Sequence, residues 1–148
     1  FCLPDGSDYT VTYPSGRQKV GKYKITIDGM GDYAGSRTMT FKIRPPLVKA
    51  IKEPLSDKRK ITVRWKTMSR AQKTKYRGSI TGYQVRVAAN SKFASAKYKK
   101  VKGMSRTQAT VTGLKRSTKY YVQYRSYKVT GGKTYYSKWS AKKKIKTN

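Results

Sequence analysis

Apolar residues recur in this chain at every second position, and that period commits it to β-strands. In Tyr9-Thr10-Val11-Thr12-Tyr13 the odd positions are apolar or aromatic and the even ones are Thr. Residues two apart share a face of an extended chain, so such a run is a strand with one buried face and one wet face. The pattern returns at Tyr23, Ile25 and Ile27, and again at Met39, Phe41 and Ile43. It continues through Ile61-Val63-Trp65, Tyr83-Val85-Val87, Ala109-Val111 and Tyr120-Val122-Tyr124, with Ile145 near the end. No stretch shows a 3.6-residue period, so the expected fold class is all-β and antiparallel.

Turn residues fall between these runs. Pro14-Ser15-Gly16 separates the first two, and Gly29, Gly31 and Gly35 punctuate the next loop. Gly78, Gly82, Gly103, Gly113 and Gly131-Gly132 do the same further on, where tight bends favour glycine. Pro45-Pro46 cannot donate to a ladder and stiffens a linker, which predicts two modules, 1–45 and 46–148. Three strands with one apolar face are about the minimum for independent stability, so the first module either packs on its neighbour or has lost strands upstream. The start at Phe1, without an initiator Met, reads as a piece of a longer chain.

Charge is the second constraint. There are 36 Lys and Arg against 6 Asp and Glu, a net +30, far from the single-digit values of an ordinary small domain. The acids are Asp5, Asp8, Asp28, Asp32, Glu53 and Asp57, so nothing after position 57 carries a carboxylate side chain. Thirteen Tyr, two Trp and many Val, Ile and Thr supply the residues that strands need, which argues against disorder. One cysteine, Cys2, cannot form an internal disulfide, and no apolar run approaches the roughly 20 residues that cross a membrane.

From about residue 46 onward four segments together carry a resemblance to one known family. Lys60-Ile61-Thr62-Val63-Arg64-Trp65 resembles the family's second strand with its core tryptophan, and Ile80-Thr81-Gly82-Tyr83-Gln84-Val85-Arg86-Val87 its third. Gly113-Leu114 followed by Ser117-Thr118-Lys119-Tyr120-Tyr121-Val122 is similar to the corner before the sixth strand, with Tyr120 as the corner tyrosine. Tyr136-Ser137-Lys138-Trp139-Ser140 resembles the opening of the last strand. In the order and spacing of these segments the second module resembles the fibronectin type III family, in the style of Gram-positive surface proteins. The resemblance implies an immunoglobulin-like β-sandwich whose structural core includes Trp65, Tyr83, Leu114, Tyr120 and Trp139. It also implies an extracellular, bacterial cell-surface location. The first 45 residues resemble the end of a repeat module found beside such domains in anaerobic Gram-positive bacteria. The residues concerned are Gly6 to Tyr13, Val20-Gly21, Gly31-Asp32-Tyr33-Ala34-Gly35 and Thr40 to Ile43.

Catalytic chemistry is poorly provided for. With no histidine, and no carboxylate after Asp57, the second module lacks the usual acid–base pairs, nucleophilic triads and zinc sets, so no enzyme, metal or cofactor is expected. Lysine-to-asparagine cross-links need a nearby carboxyl group, which that module does not supply. Asp5-Gly6-Ser7-Asp8 and Asp28-Gly29-Met30-Gly31-Asp32 carry oxygens at calcium-loop spacing, yet Asp beside Gly is ordinary turn chemistry. Cys2 lacks the basic partner that a catalytic thiol requires.

The informative constellation is the wet face of the sheet. If Tyr83, Val85, Val87, Tyr120, Val122 and Tyr124 point inward, then Gln84, Arg86, Tyr121, Gln123 and Arg125 point outward. Lys144 and Lys146 flank inward Ile145 and extend the face. The candidate polyanion-binding residues are therefore Arg86, Tyr121, Gln123, Arg125, Lys144 and Lys146. Clustered cations draw polyanions by raising the local potential and releasing counterions, and Tyr121 can stack on a sugar or base. The same cations also discourage edge-to-edge aggregation, and tyrosines cover lysine stems. The favoured reading is an adhesion or spacer module that contacts an anionic polysaccharide or cell-wall polymer beside neighbouring domains of its parent chain. A nucleic-acid binder is one alternative, and an accessory domain of a secreted enzyme is another.

Overall fold

Alternating runs become ladders wherever two of them can be joined by a short turn. The structure, a computed structural model, describes residues 9–15, 19–30, 34–47 and 50–148. It has two compact units, Phe1–Arg44 and Pro45–Asn148. Cys2, the Asp5–Asp8 segment and Asp32 lie outside the described residues.

In the first unit, β1 (Tyr9–Thr12), β2 (Gly21–Gly29) and β3 (Ser36–Ile43) form an antiparallel sheet of order β1-β2-β3. Tyr23 and Phe41 are register partners whose rings stack at 5.5 Å. The period-two reading put Met39 inward with Phe41 and Ile43, but Met39 is 55% exposed. It faces Ile25 in the register, yet β3 is an edge strand with a neighbour on one side only. Asp28 lies within β2, and its carboxylate accepts a hydrogen bond from the Ser36 hydroxyl. Among the described residues no group of acids, Cys or His is arranged to hold a metal ion.

The second unit is a two-sheet sandwich. One sheet has the order β4-β5-β8, from Leu55–Asp57, Lys60–Arg64 and Gln108–Val111. The other has the order β10-β9-β6-β7, from Lys133–Tyr136, Lys119–Thr130, Gly82–Ala88 and Lys97–Lys102, and β11 (Lys143–Lys146) also pairs with β9. All these pairings are antiparallel. The β9–β10 hairpin closes on Gly131-Gly132, both at positive φ, the backbone that a two-residue turn with the sheet's own twist requires.

Between the sheets lie Ile61, Val63 and Trp65 with Ala109 and Val111 on one side, and Tyr83, Val85, Val87, Tyr120, Val122 and Tyr124 on the other. Trp65 is 2% exposed, stacks on Tyr124 at 4.6 Å with 7° between the rings, and donates its indole N–H to the Arg106 carbonyl. Leu114 is buried, and the Tyr120 hydroxyl accepts the Lys115 backbone N–H at 2.8 Å, pinning the β8–β9 corner. Gly82 is fixed for another reason. A Cβ there would stand 2.1 Å from the Val101 carbonyl oxygen, so only glycine lets β6 and β7 approach.

Four elements escaped the alternation, the strands β4, β7 and β10 and one short helix. The helix α1 (Arg70–Lys75) opens on a capping box between Ser69 and Gln72, but six residues are too few to display a helical period. The strand β7 reads Lys-Tyr-Lys-Lys-Val-Lys, almost without apolar residues, because it is an edge strand.

Truncating Trp65 removes the ring that bridges the two sheets. Trp65→Ala is expected to cost about 3–5 kcal/mol in urea unfolding. Tyr83 supplies a pH test: its hydroxyl donates to the Met104 carbonyl at 2.8 Å, and burial pushes its pKa up to about 12. Because the folded value lies above the unfolded one, that stabilisation is complete below about pH 10 and is lost as pH rises through 12. The readout is the difference between wild type and Tyr83→Phe, in which the titration of the groups common to both cancels. The variant is expected to be less stable at pH 8, with a gap that narrows between pH 10 and 12; a gap independent of pH contradicts the assignment.

Candidate functional site: an arginine–aromatic face

The outer face of the larger sheet is set by its register. Lys100, Gln84 and Arg125 share one row, Tyr98, Arg86 and Gln123 the next, and Lys144 stands opposite Tyr121 further along. Pleating puts the side chains of each row on the side away from Trp65. The face thus brings Arg86, Gln123 and Arg125 together, with Tyr121 and Lys144 beside them.

These groups are not simply hydrated. Past Tyr136 the chain leaves the regular ladder, yet stays attached to β9. The Ser137 hydroxyl accepts the Ser126 backbone N–H, and the Ser140 hydroxyl accepts that of Tyr124, each at 3.0 Å. The backbone N–H groups of Ser137 and Ser140 in turn donate to the Ser126 and Tyr124 carbonyls. Trp139, between the two serines, lies against the outer face. The sequence reading placed Trp139 in the structural core with Trp65. The structure places it instead on the opposite side of the sheet, because the serine bonds replace a strand and break the alternation.

Trp139 sits between two guanidinium groups, those of Arg86 and Arg125, each 4.1 Å from its ring centre. Phe93 covers Arg86 at 4.0 Å, and Tyr136 covers Arg125 at 3.7 Å. The Lys100 ammonium lies 5.2 Å from the Tyr136 ring and 5.1 Å from Tyr127. Phe93, Arg86, Trp139, Arg125, Tyr136, Lys100 and Tyr127 therefore alternate ring and cation, each cation against the negative face of a π system.

Amide oxygens complete the cradle. Gln123 Oε1 accepts from Arg86 Nε and Nη2, while Gln84 Oε1 accepts from Arg125 Nε and Nη2. Gln123 is only 6% exposed, and its amide nitrogen donates to the Ser140 carbonyl. It was read as a surface contact; it is instead a buried clamp, because the Trp139 segment covers it. Burial is the largest influence on Arg125 and lowers its pKa; the neighbouring Arg86 acts in the same direction, while Tyr136 and Tyr98 act to raise it. Arg125 stays charged at neutral pH all the same, since guanidinium titrates far above it.

Tyr121 is half-buried under the Lys144 ammonium, which lies 5.7 Å from its ring centre, and Lys146 is exposed opposite Lys119 at the end of β11. Sequence reasoning missed Phe93, Tyr98, Lys100, Tyr127, Tyr136 and the outward place of Trp139. The signal for Tyr98 and Lys100 was their two-residue spacing in β7. For Trp139 the only cue was its position between two serines.

Trp139→Ala removes a face shared by two cations. The expected loss is roughly 1–4 kcal/mol in chemical denaturation, smaller than that of Trp65→Ala, with far-UV dichroism unchanged. A variant as stable as wild type would show that the ladder contributes nothing.

The profile of the fibronectin type III domain matches residues 44–143. No curated protein sequence matches the chain significantly. Among solved structures, one titled "Myokine structure" aligns with a TM-score of 0.50 at 12% identity, over 69% of this chain and 97% of that one. The chicken CNTN1 FN1–FN3 domains align with a TM-score of 0.52 at 21% identity, over 87% of this chain but only 43% of that one. At such identities the likeness concerns the fold alone. The sandwich, the buried Trp65, the Tyr120 corner and the profile match agree, and the chain belongs to the fibronectin type III family.

Proposed function

We propose that this chain is a non-catalytic extracellular module of a bacterial surface protein, an adhesion or spacer unit drawn to anionic polymers such as wall polymers or host glycans. Fibronectin type III domains are in general non-catalytic and typically extracellular. The bacterial-surface part of the reading rests on the resemblance of residues 6–43 to repeats of such proteins.

The observation that carries the polyanion reading is the balance of charge in the second unit. It holds 29 Lys and Arg against two carboxylate side chains, Glu53 and Asp57. Both are engaged, Glu53 with Lys143 and Asp57 with Lys60. Other described cations meet rings, amides or carbonyls, none of which neutralises them. Interspersed acids would have kept the domain soluble at less self-repulsion, so a field of one sign favours an anionic partner.

Retention on immobilised heparin, compared with a sulfonate cation exchanger at equal charge density, tests this reading. Elution from heparin at clearly higher salt than from the exchanger is expected, because clustered sulfates and clustered cations release counterions together. The double variant Lys144→Glu, Lys146→Glu is expected to elute earlier from heparin. Elution at the salt typical of a near-neutral protein removes the basis of the proposal. Preference for single-stranded DNA over heparin would favour the nucleic-acid reading.

A further inference from the structure

The ladder leaves part of each guanidinium unused. Arg86 and Arg125 each spend Nε and Nη2 on a glutamine, and among the described residues no hydrogen bond engages either Nη1. Among the described residues no buried side-chain nitrogen or oxygen lacks a partner, so both Nη1 groups reach solvent. The two guanidinium carbons lie no more than about 8 Å apart, on either side of Trp139, within reach of neighbouring substituents on one ligand. These donors are also held in place, since ring stacking and paired amide bonds fix the planes before any ligand arrives. Binding then avoids much of the side-chain ordering cost that a free surface arginine incurs.

Beside them stands an aromatic ring with open space. Tyr98 is 53% exposed, pairs with Arg86 across β7 and β6, and lies 6.4 Å from Trp139 on the same face. Lys100, two residues on along β7, adds a third cation to the same face, one step along the ladder past Tyr136.

We infer that the Tyr98–Arg86–Trp139 corner is a seat for an anionic sugar: the Tyr98 ring takes the apolar face of the pyranose, and the Nη1 donors of Arg86 and Arg125, with Lys100, take its sulfate or phosphate groups. This rests on the proposed attraction to anionic polymers and adds to it a place and a ligand class. A glycan fits better than a nucleic acid. Single-stranded nucleic-acid tracks stack successive bases on successive rings, whereas on this face Tyr98 is the one aromatic residue more than half exposed among the described residues.

The experiment compares the intact chain with Tyr98→Ser and Tyr98→Phe. Tyr98 lies outside the hydrophobic core, so its substitution leaves the interior intact. Binding is measured by calorimetry at fixed ionic strength to a heparin hexasaccharide, to inorganic polyphosphate of similar charge and to oligothymidylate. Tyr98→Ser is expected to weaken the hexasaccharide roughly tenfold and polyphosphate less than twofold, with Tyr98→Phe close to wild type. Nitrogen-resolved spectra of the arginine side chains are expected to shift at Arg86 and Arg125 on adding the hexasaccharide. If the chain binds the hexasaccharide but Tyr98→Ser loses nothing and neither arginine shifts, the seat is wrong and the general attraction stands. Absence of binding to both polyanions overturns both. Equal losses for hexasaccharide and oligothymidylate overturn the sugar assignment.

Discussion

Between Tyr136 and Lys143 the chain remains fastened to β9 through two serine hydroxyls and two backbone N–H groups, and much of the outer face follows from that fastening. A hydroxyl accepts an amide proton as a carbonyl would, but it does not require the pleat of a strand. The segment can therefore bulge across the sheet and bring Trp139 over side chains that alternation alone would leave in water. Without those bonds Arg86 and Arg125 would be ordinary solvated cations. With them, each is a plate held between rings. The strand β9 is thus covered on both faces, by Trp65 and its neighbours inside and by Trp139 and Tyr136 outside.

This arrangement resolves a difficulty set by composition. Two arginines stacked about one indole repel each other, and burial makes the repulsion worse by removing water. Carboxylates would relieve it, but the second unit has only Glu53 and Asp57, each paired with a lysine. Ring faces and amide oxygens stabilise a cation without cancelling its charge. The face therefore gains rigidity while keeping its positive field, a combination that salt bridges would not provide.

Legibility from sequence divided along physical lines. The strands that line the interior were readable because burial enforces the period: Ile61-Val63-Trp65 and Tyr120-Val122-Tyr124 have no other consistent placement. Gly113-Leu114 and Tyr120 were readable as a corner through their resemblance to the fibronectin type III pattern. Trp139 was not, since its position depends on hydrogen bonds from Ser137 and Ser140 to a strand more than ten residues earlier, and periodicity carries no information about such long-range bonds. Gln123 was rightly given a direction and wrongly given exposure, because outward from the sheet is not outward to solvent once another segment crosses above it. Met39 failed oppositely: alternation puts it inward on β3, yet on this edge strand it is 55% exposed.

The Lys-rich β7 shows how a defensive and a binding use of charge share one strand. It is the edge of its sheet, where unpaired backbone groups invite another chain. Lys97 and Lys99 oppose Val87 and Val85 in the register, so they stand on the core side of the strand, where an incoming strand would have to bury their charges. Tyr98, Lys100 and Lys102 take the alternate positions and join the outer face. Period two thus assigns one set of side chains to blocking strand addition and the other to the arginine–aromatic surface. Protection against aggregation accounts for the first set and not for an exposed tyrosine opposite Arg86, and for that reason the charge of β7 does not reduce to solubility.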